Sequence, residues 1–532
     1  MQQPKPITRK YEELVRKVEN GEYQIPKFQR DFVWDKKKSA SLLDSLLKGY
    51  PIGSFILWKT KDKLNAIKGL GGDIFKETKE SDYVFYILDG QQRITSLYLA
   101  IKGASIEKNN YREIYIDLEK DIESDEEICT IEKTQNSISF YDMMNKDILD
   151  ISEEYSKNIA KKVSELKKHI ETYEFSTIEI ENQPLEKIVD VFTRINTSGK
   201  VLTLFEIMNA KIYTEAKNGK EGFDLEEKFN LFIEDLKPNY DSIADNKAII
   251  LQFIALILKK NAKREAILSI KKDDFINEWN SAIKAFKLGI DKIQDSLKIP
   301  VSKLLPYYAL VIPFAYFYRI NDYKPPTNSQ LNNLRKYFFR AAFSERFSSS
   351  TETKLNEDIK LIRKIQKNEQ IDFEKELSLN YTKEDFKDAM YGWFSTSSAF
   401  DKAVLCILAY NEPKKFSDNS KVRLDNSWLS IATSKNYHHF FPKAYLEKIK
   451  QNEYANALAN ITLVDDYLNK RVIQAKDPQK YIKEFQKENL DLEETLKSHL
   501  IDLNDFGILE NDYNKFLDKR ASKLADEIMK RI

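Results

Sequence analysis

Cysteine is scarce: Cys129 and Cys406 stand 277 positions apart, and the 532 residues contain no others. This excludes a disulfide scaffold and any CxxC zinc or redox motif, and it fits a reducing cytoplasm. Glycine and proline are also few, at 14 each, which leaves little material for long disordered linkers. Neither charge sign prevails. Lys plus Arg number 85 and Asp plus Glu 84, so net charge carries no nucleic-acid signature, although a local basic face stays open. Long apolar runs are missing too. The stretches 248–258 and 304–318, the second broken by Pro306 and Pro313, fall short of the roughly 20 residues that a membrane span needs. The opening MQQPKPITRK has no apolar core of a secretory signal. The expectation is a soluble, cytoplasmic chain without a membrane partner.

What is present supports buried cores: 42% of the residues are hydrophobic and 12% aromatic. At about 150 residues per domain, roughly three domains are expected. Tyr11, Leu14, Val15 and Val18 recur with helical spacing, and Gly21 sits where that helix would stop. Asp35 is placed to cap a second helix bearing Leu42, Leu43, Leu46 and Leu47. The runs 53–58 and 83–88 are rich in aromatic and branched residues and predict buried strands. The acidic run 117–127 reads as a solvated loop. From Thr203-Leu-Phe-Glu206, which spells a capping box, the pattern turns helical to about residue 395. No period of about 20–50 residues repeats, so a solenoid is not expected.

Two of the four histidines, His438 and His439, are adjacent and run into Phe440-Phe441-Pro442. Neighbours on a strand point to opposite faces, so the pair shares one role only where the backbone bends, and Pro442 favours a turn there. Asn460 follows 21 residues after His439, ahead of a β-like Ile461-Thr-Leu-Val464, and Asn469 follows nine later. The order strand, connection, strand, helix would bring these groups together. Phosphodiester hydrolysis needs a base for water, a cation for the leaving oxygen and a group that orients the base. A neutral imidazole suits the first task and a hard divalent ion the second. His169 and His499 have no such company.

Near the other end, the strand at 83–88 enters Asp89-Gly-Gln-Gln-Arg93 and then a helix-like segment from Ile94. A strand that enters a helix through a glycine turn exposes the helix's first amides, which suits a phosphate. Gly90 permits close backbone approach, Arg93 offers a bidentate cation and Asp89 a carboxylate. Ile25-Pro-Lys-Phe-Gln-Arg-Asp-Phe-Val-Trp34 adds Gln29 and Arg30, and Phe192-Thr-Arg-Ile-Asn196 adds Arg194 and Asn196. A Walker sequence is absent, so a P-loop site is excluded.

The segment Asn436–Lys443, with Ala459–Val464 and Leu468-Asn-Lys470, resembles the HNH (ββα-metal) nucleases and, more closely, the nuclease half of GmrSD-type modification-dependent restriction enzymes. The succession IPxFQRxFVW, DGQQR, FxRIN is similar to the ParB-like N-terminal domain of the same enzymes. The resemblance implies an α+β, multi-domain protein. Residues 1–202 would form a ParB-like α/β nucleotide-binding domain, 203–395 a mostly α-helical connector, and 396–532 an HNH-like nuclease domain embedded in helices. It further implies His439 as general base, His438 and Asn469 as ligands of Mg²⁺ or Mn²⁺, and Asn460 as the group orienting the base. This chain has Asn469 where many HNH members place a histidine. Lys443, Lys470, Arg471 and Lys476 would meet the DNA backbone. Asp89 and Arg93 would turn over a nucleoside triphosphate, bound with Gly90, Gln91, Gln92, Gln29, Arg30, Arg194 and Asn196. The ParB-like fold is shared with sulfiredoxin, but no cysteine lies in these motifs. The expected function is antiphage cleavage of modified phage DNA, with homo-oligomerisation open. Two alternatives stand beside it: a nucleotide-switched DNA-binding protein of ParB type without nuclease activity, and a toxin-like nuclease acting on host DNA or RNA.

Overall fold

The computed structural model is described for residues 3–26, 29, 32–61, 83–106, 108–123, 126–195, 203–214, 221–426, 437–464, 473 and 475–532. It is a mixed α+β protein in two units, Met1–Leu225 and Glu226–Ile532.

The first unit is built on a mixed sheet. Strands β1 (Lys5–Lys10), β2 (Tyr23–Gln24), β3 (Phe55–Thr60), β4 (Val84–Asp89) and β10 (Glu174–Glu181) lie in the order β1-β10-β3-β4-β2. β10 runs antiparallel to β1 and parallel to β3, and β4 is antiparallel to β3 and parallel to β2. Five shorter strands intervene in sequence. β5 (Ser105–Ile106) pairs with β6 (Asn109–Asn110), while β7 (Tyr115–Asp117) is flanked by β8 (Cys129–Thr130) and β9 (Ser137–Ser139). Strands β3 and β4 fall on the two runs that composition marked. β1 and β10 carried no such signal, because β10 buries Glu179 and β1 buries Arg9, and the two side chains form an ion pair. Such a pair stays buried only because each charge meets the other.

The helices of this unit pack through the stripes the sequence lays out. Leu14, Val15 and Val18 of α1 (Tyr11–Glu19) and Leu43, Leu46 and Leu47 of α2 (Lys36–Leu47) enter one core with Ile94, Leu97 and Ile101 of α3 (Gln91–Lys102). A short helix gains most of its stability from such burial, about 1.5–3 kcal/mol for each large aliphatic side chain. Asp35 caps α2 by accepting from the Lys38 amide at 2.8 Å. The core also takes Met143 of α4 (Phe140–Asn145), Ile151 of α5 (Ile148–Glu154) and Val163 of α6 (Lys157–Thr172). After α7 (Leu185–Ile195), Thr203 opens α8 (Leu204–Ile212) with the expected box: its hydroxyl accepts from the Glu206 amide at 3.2 Å, and the Glu206 carboxylate accepts from the Thr203 amide at 2.8 Å.

The second unit is largely helical. The apolar stretches tested for a membrane span become buried helices, Ala248–Lys259 and Val311–Ile320, and no helix among the described residues is long and apolar enough to cross a membrane. The 26-residue helix Lys272–Leu297 lies against Val311–Ile320 at Gly289, where an added Cβ would come within 2.7 Å of the Ala315 amide nitrogen. A glycine there sets the approach of the two backbones. Helices Asn328–Phe343, Thr351–Gln366, Ala399–Tyr410 and Tyr513–Met529 extend the bundle. The Ser344–Ser350 connection is a polar interhelical loop in which Arg346 pairs with the buried Asp358. Within the bundle sits one two-stranded ladder, β11 (Tyr437–His439) antiparallel to β12 (Ile461–Leu463). Cys129 and Cys406 are both buried thiols.

Candidate active site

The ladder fixes the histidines by register: Tyr437 faces Leu463, His438 faces Thr462 and His439 faces Ile461. Pairing runs straight through both imidazoles, so the bend expected from Pro442 comes after them. They therefore take opposite faces. His438 is 1% exposed, with its ring edge-on to Phe416 at 6.5 Å and to Tyr481 at 6.4 Å. His439 turns the other way, to Asn456.

Asn456 defines the chemistry of that imidazole. Its Nδ2 donates to the Phe394 carbonyl at 3.0 Å, which leaves Oδ1 facing His439 Nε2 at 2.9 Å. An amide oxygen only accepts, so Nε2 must carry the proton and Nδ1 keeps the lone pair. Burial pulls the His439 pKa down from 6.5 to about 4, against the hydrogen bond that the ring donates to Asn456, which raises it, and with the nearby Lys443 ammonium, which lowers it further. The ring is thus neutral at pH 7 and basic at Nδ1.

Asn460, expected to orient the base, is placed on the turn instead. Its Oδ1 accepts from the Phe441 amide at 2.8 Å, and its Nδ2 donates to the carbonyls of Phe441 and Ala455, each at 3.0 Å. Fully buried, it ties the residues after β11 to the loop that carries Asn456. Further bonds stiffen the same backbone. Tyr481 Oη donates to the Phe440 carbonyl at 2.6 Å, Tyr513 Oη to Tyr454 at 2.6 Å, and the buried Arg520 donates to Ala459 at 2.9 Å and to His499 at 3.1 Å. Sequence reading passed over Asn456, and its signal was a second asparagine four residues ahead of Asn460.

Of the expected DNA contacts, Lys443 Nζ lies 5.4 Å from the ring centre of Trp393, and Lys476 is ion-paired with Glu484. Lys476-Asp-Pro478 is a helix start: Asp477 accepts from the Lys480 amide at 2.9 Å and Pro478 takes the first helical position. Asn469, Lys470 and Arg471 lie outside the described residues, as do Arg30 and Asn196. Among the described residues no three His, Cys, Asp or Glu side chains form a metal-ligating group. His499, treated as ordinary, is buried with Nε2 2.7 Å from the Lys414 carbonyl.

In the first unit the Asp-Gly-Gln-Gln-Arg turn does join β4 to α3, and Gly90 stands at φ +90°, where a Cβ would come within 2.3 Å of the Phe55 ring. Arg93 folds back on its own chain. Its guanidinium donates to the carbonyls of Ile52 at 2.5 Å and Ser54 at 3.1 Å, and to Asp89 at 2.9 Å. Gly53, also at positive φ, makes room for it: a Cβ there would sit 2.5 Å from Nη1. Gln92 Oε1 accepts from the Val33 amide at 2.9 Å, and Gln29 Nε2 donates to the Ile87 carbonyl. Gln91 is buried, whereas the Asp89 side chain keeps 36% exposure and Arg194 is exposed at the end of α7.

Both ends of the chain match family models. Residues 11–213 match the GmrSD restriction endonuclease N-terminal domain, and residues 381–530 match the GmrSD restriction endonuclease C-terminal domain. The chain belongs to the GmrSD restriction endonuclease family, which makes it a nuclease with DNA as its substrate. It is also similar to the uncharacterized protein MJ0686 of Methanocaldococcus jannaschii, 26% identical over 599 aligned positions that span 98% of each chain.

Proposed function

We propose that this is an antiphage, modification-dependent DNA endonuclease whose hydrolytic base is His439. The observation that carries the reading is the Asn456–His439 hydrogen bond, which presents a neutral imidazole with its lone pair on Nδ1. In the reaction, Nδ1 takes a proton from water as the water oxygen bonds to phosphorus. The bond from phosphorus to the leaving oxygen breaks, and that oxygen is protonated from solvent. Asn456 holds the ring and stabilises the imidazolium through Nε2–H, as an orienting acceptor does for any imidazole base. This places the orienting role on Asn456, with Asn460 acting through the backbone. The HNH-like reading of 396–532 rests on the β11–β12 ladder and on the resemblance.

Mg²⁺ or Mn²⁺ belongs to the proposal and would offset charge on the leaving oxygen. The described residues offer no complete ligand set, since His438 faces aromatic rings and Asn469 lies outside them. Cleavage with and without chelator reads the dependence.

We also propose that residues 1–202 form a ParB-like domain that binds a nucleoside triphosphate at Asp89–Arg93 and gates cutting, with 203–395 as the connector. Support comes from the Gly90 turn and the partly exposed Asp89 at the start of α3. Because Arg93 is engaged by its own chain and pairs with Asp89, the α3 amides and the exposed edge of the Asp89 carboxylate are the groups that would meet the ligand. Loss of triphosphate turnover in Asp89→Ala tests this.

The deciding experiment incubates modified and unmodified phage genomes, plasmid and total RNA with the protein and Mg²⁺ or Mn²⁺. Modified DNA should be cut, and His439→Ala should lower the rate by about 10²–10⁴, the usual contribution of a general base. Full cutting by that variant overturns the assignment. Preferential loss of RNA would point to a toxin-like nuclease, and DNA left intact under every ion to a nucleotide-switched binding protein.

A further inference from the structure

Trp393 is 76% exposed, while most of the second unit's aromatics among the described residues are buried. An exposed indole by itself is ordinary; what sets Trp393 apart is where it stands. Trp393 is bridged to Ala457, the neighbour of Asn456, and the next carbonyl along, Phe394, is the one that fixes the Asn456 amide. Lys443, whose charge is felt by His439, stands 5.4 Å from the indole centre. One short segment thus carries both the exposed ring and the anchor of the base-orienting amide.

We propose that Trp393 is a stacking platform for a nucleobase of the strand being cut, so that the adjoining phosphate runs past Lys443 to His439. Lys443 lies over one face of the indole, so a base would stack on the other; a π surface for the base and a positive charge for its phosphate are what a nucleotide requires. The base must be unstacked from its neighbours, so the substrate at this position is a single-stranded or flipped-out nucleotide. This inference rests on the nuclease reading of His439 and adds the substrate contact beside it.

The test uses the full-length chain carrying His439→Ala, which should hold DNA without cutting it, and oligonucleotides containing 2-aminopurine, single-stranded and duplex. Adding Trp393→Ala should weaken binding about tenfold and abolish 2-aminopurine quenching, whereas Trp393→Phe should stay within about threefold. The salt slope of binding should be unchanged by Trp393→Ala and reduced by about one by Lys443→Ala, because stacking releases no counterion. Affinity and quenching unaffected by Trp393→Ala, or no binding of either oligonucleotide, would overturn the stacking proposal. Undiminished cleavage by the His439→Ala chain would overturn the nuclease reading, and the quenching comparison would still report on Trp393.

Discussion

The two motif-bearing turns use their polar side chains in opposite ways. In the first unit Gln92 and Gln29 bond to the protein's own backbone, and Arg93 to two carbonyls and to Asp89, with Gly53 at positive φ opening the space for the guanidinium. In the second unit Asn460 does the bracing, and among the described residues His439 is held by a hydrogen bond through Nε2. A motif dense in hydrogen-bonding residues is therefore not by itself a ligand site. What distinguishes a reactive group is that its neighbours satisfy it on one side and leave the other side with chemistry to do.

Three experiments sharpen or break this contrast. The largest effect is expected at Arg93. Arg93→Ala strands the carbonyls of Ile52 and Ser54 and should destabilise the first unit by about 2–4 kcal/mol in denaturant unfolding. Arg93→Lys should recover little, since an ammonium does not reproduce the fork. A variant with unchanged stability but lost nucleotide binding would reverse the contrast and make Arg93 a ligand residue.

The next effect falls on Asn456. Asn456→Ala should lower kcat roughly tenfold with KM nearly unchanged, because Nε2–H loses its acceptor. Asn456→Asp should restore orientation and also shift the pH profile. A carboxylate beside Nε2 favours the imidazolium, so the acid limb of kcat/KM should move up from its wild-type position near pH 4. A fall in rate with no movement of that limb would assign Asn456 to folding alone.

A third effect is acid sensitivity of the second unit. Burial holds His439 and His499 at about 4 when folded, against 6.5 unfolded. Below pH 6.5 the unfolded chain takes up protons that the native one refuses, so stability should decline as pH falls towards 4 and then level off. His499→Gln keeps a donor for the Lys414 carbonyl and should flatten part of the decline in thermal midpoint. An identical slope in that variant would contradict the assignment.

Much of this molecule could be read from spacing alone. The helix at Tyr11–Glu19, the Asp35 cap, strands β3 and β4 and the Thr203 box follow local rules that few tertiary contacts override. β10 was hidden because Glu179 occupies an inward position, and an ion pair with Arg9, 170 residues away, is a long-range fact. At the proposed site, His439 was legible as one of two neighbours, but the asparagine it bonds to was not. Asn456 and Asn460 are equivalent as letters, and only the turn geometry sends one to the imidazole and the other to the backbone. Nothing in the sequence marks Trp393; its exposure and its bridge to Ala457 do.

The guanidinium of Arg520 gives this arrangement an order in time. It grips the Ala459 carbonyl from within the helix Tyr513–Met529. A chain translated only as far as residue 512 already holds both paired histidines and both asparagines, yet lacks the grip that sets their loop. The loop that carries Asn456 and Asn460 is therefore set only once the last helix has packed against it.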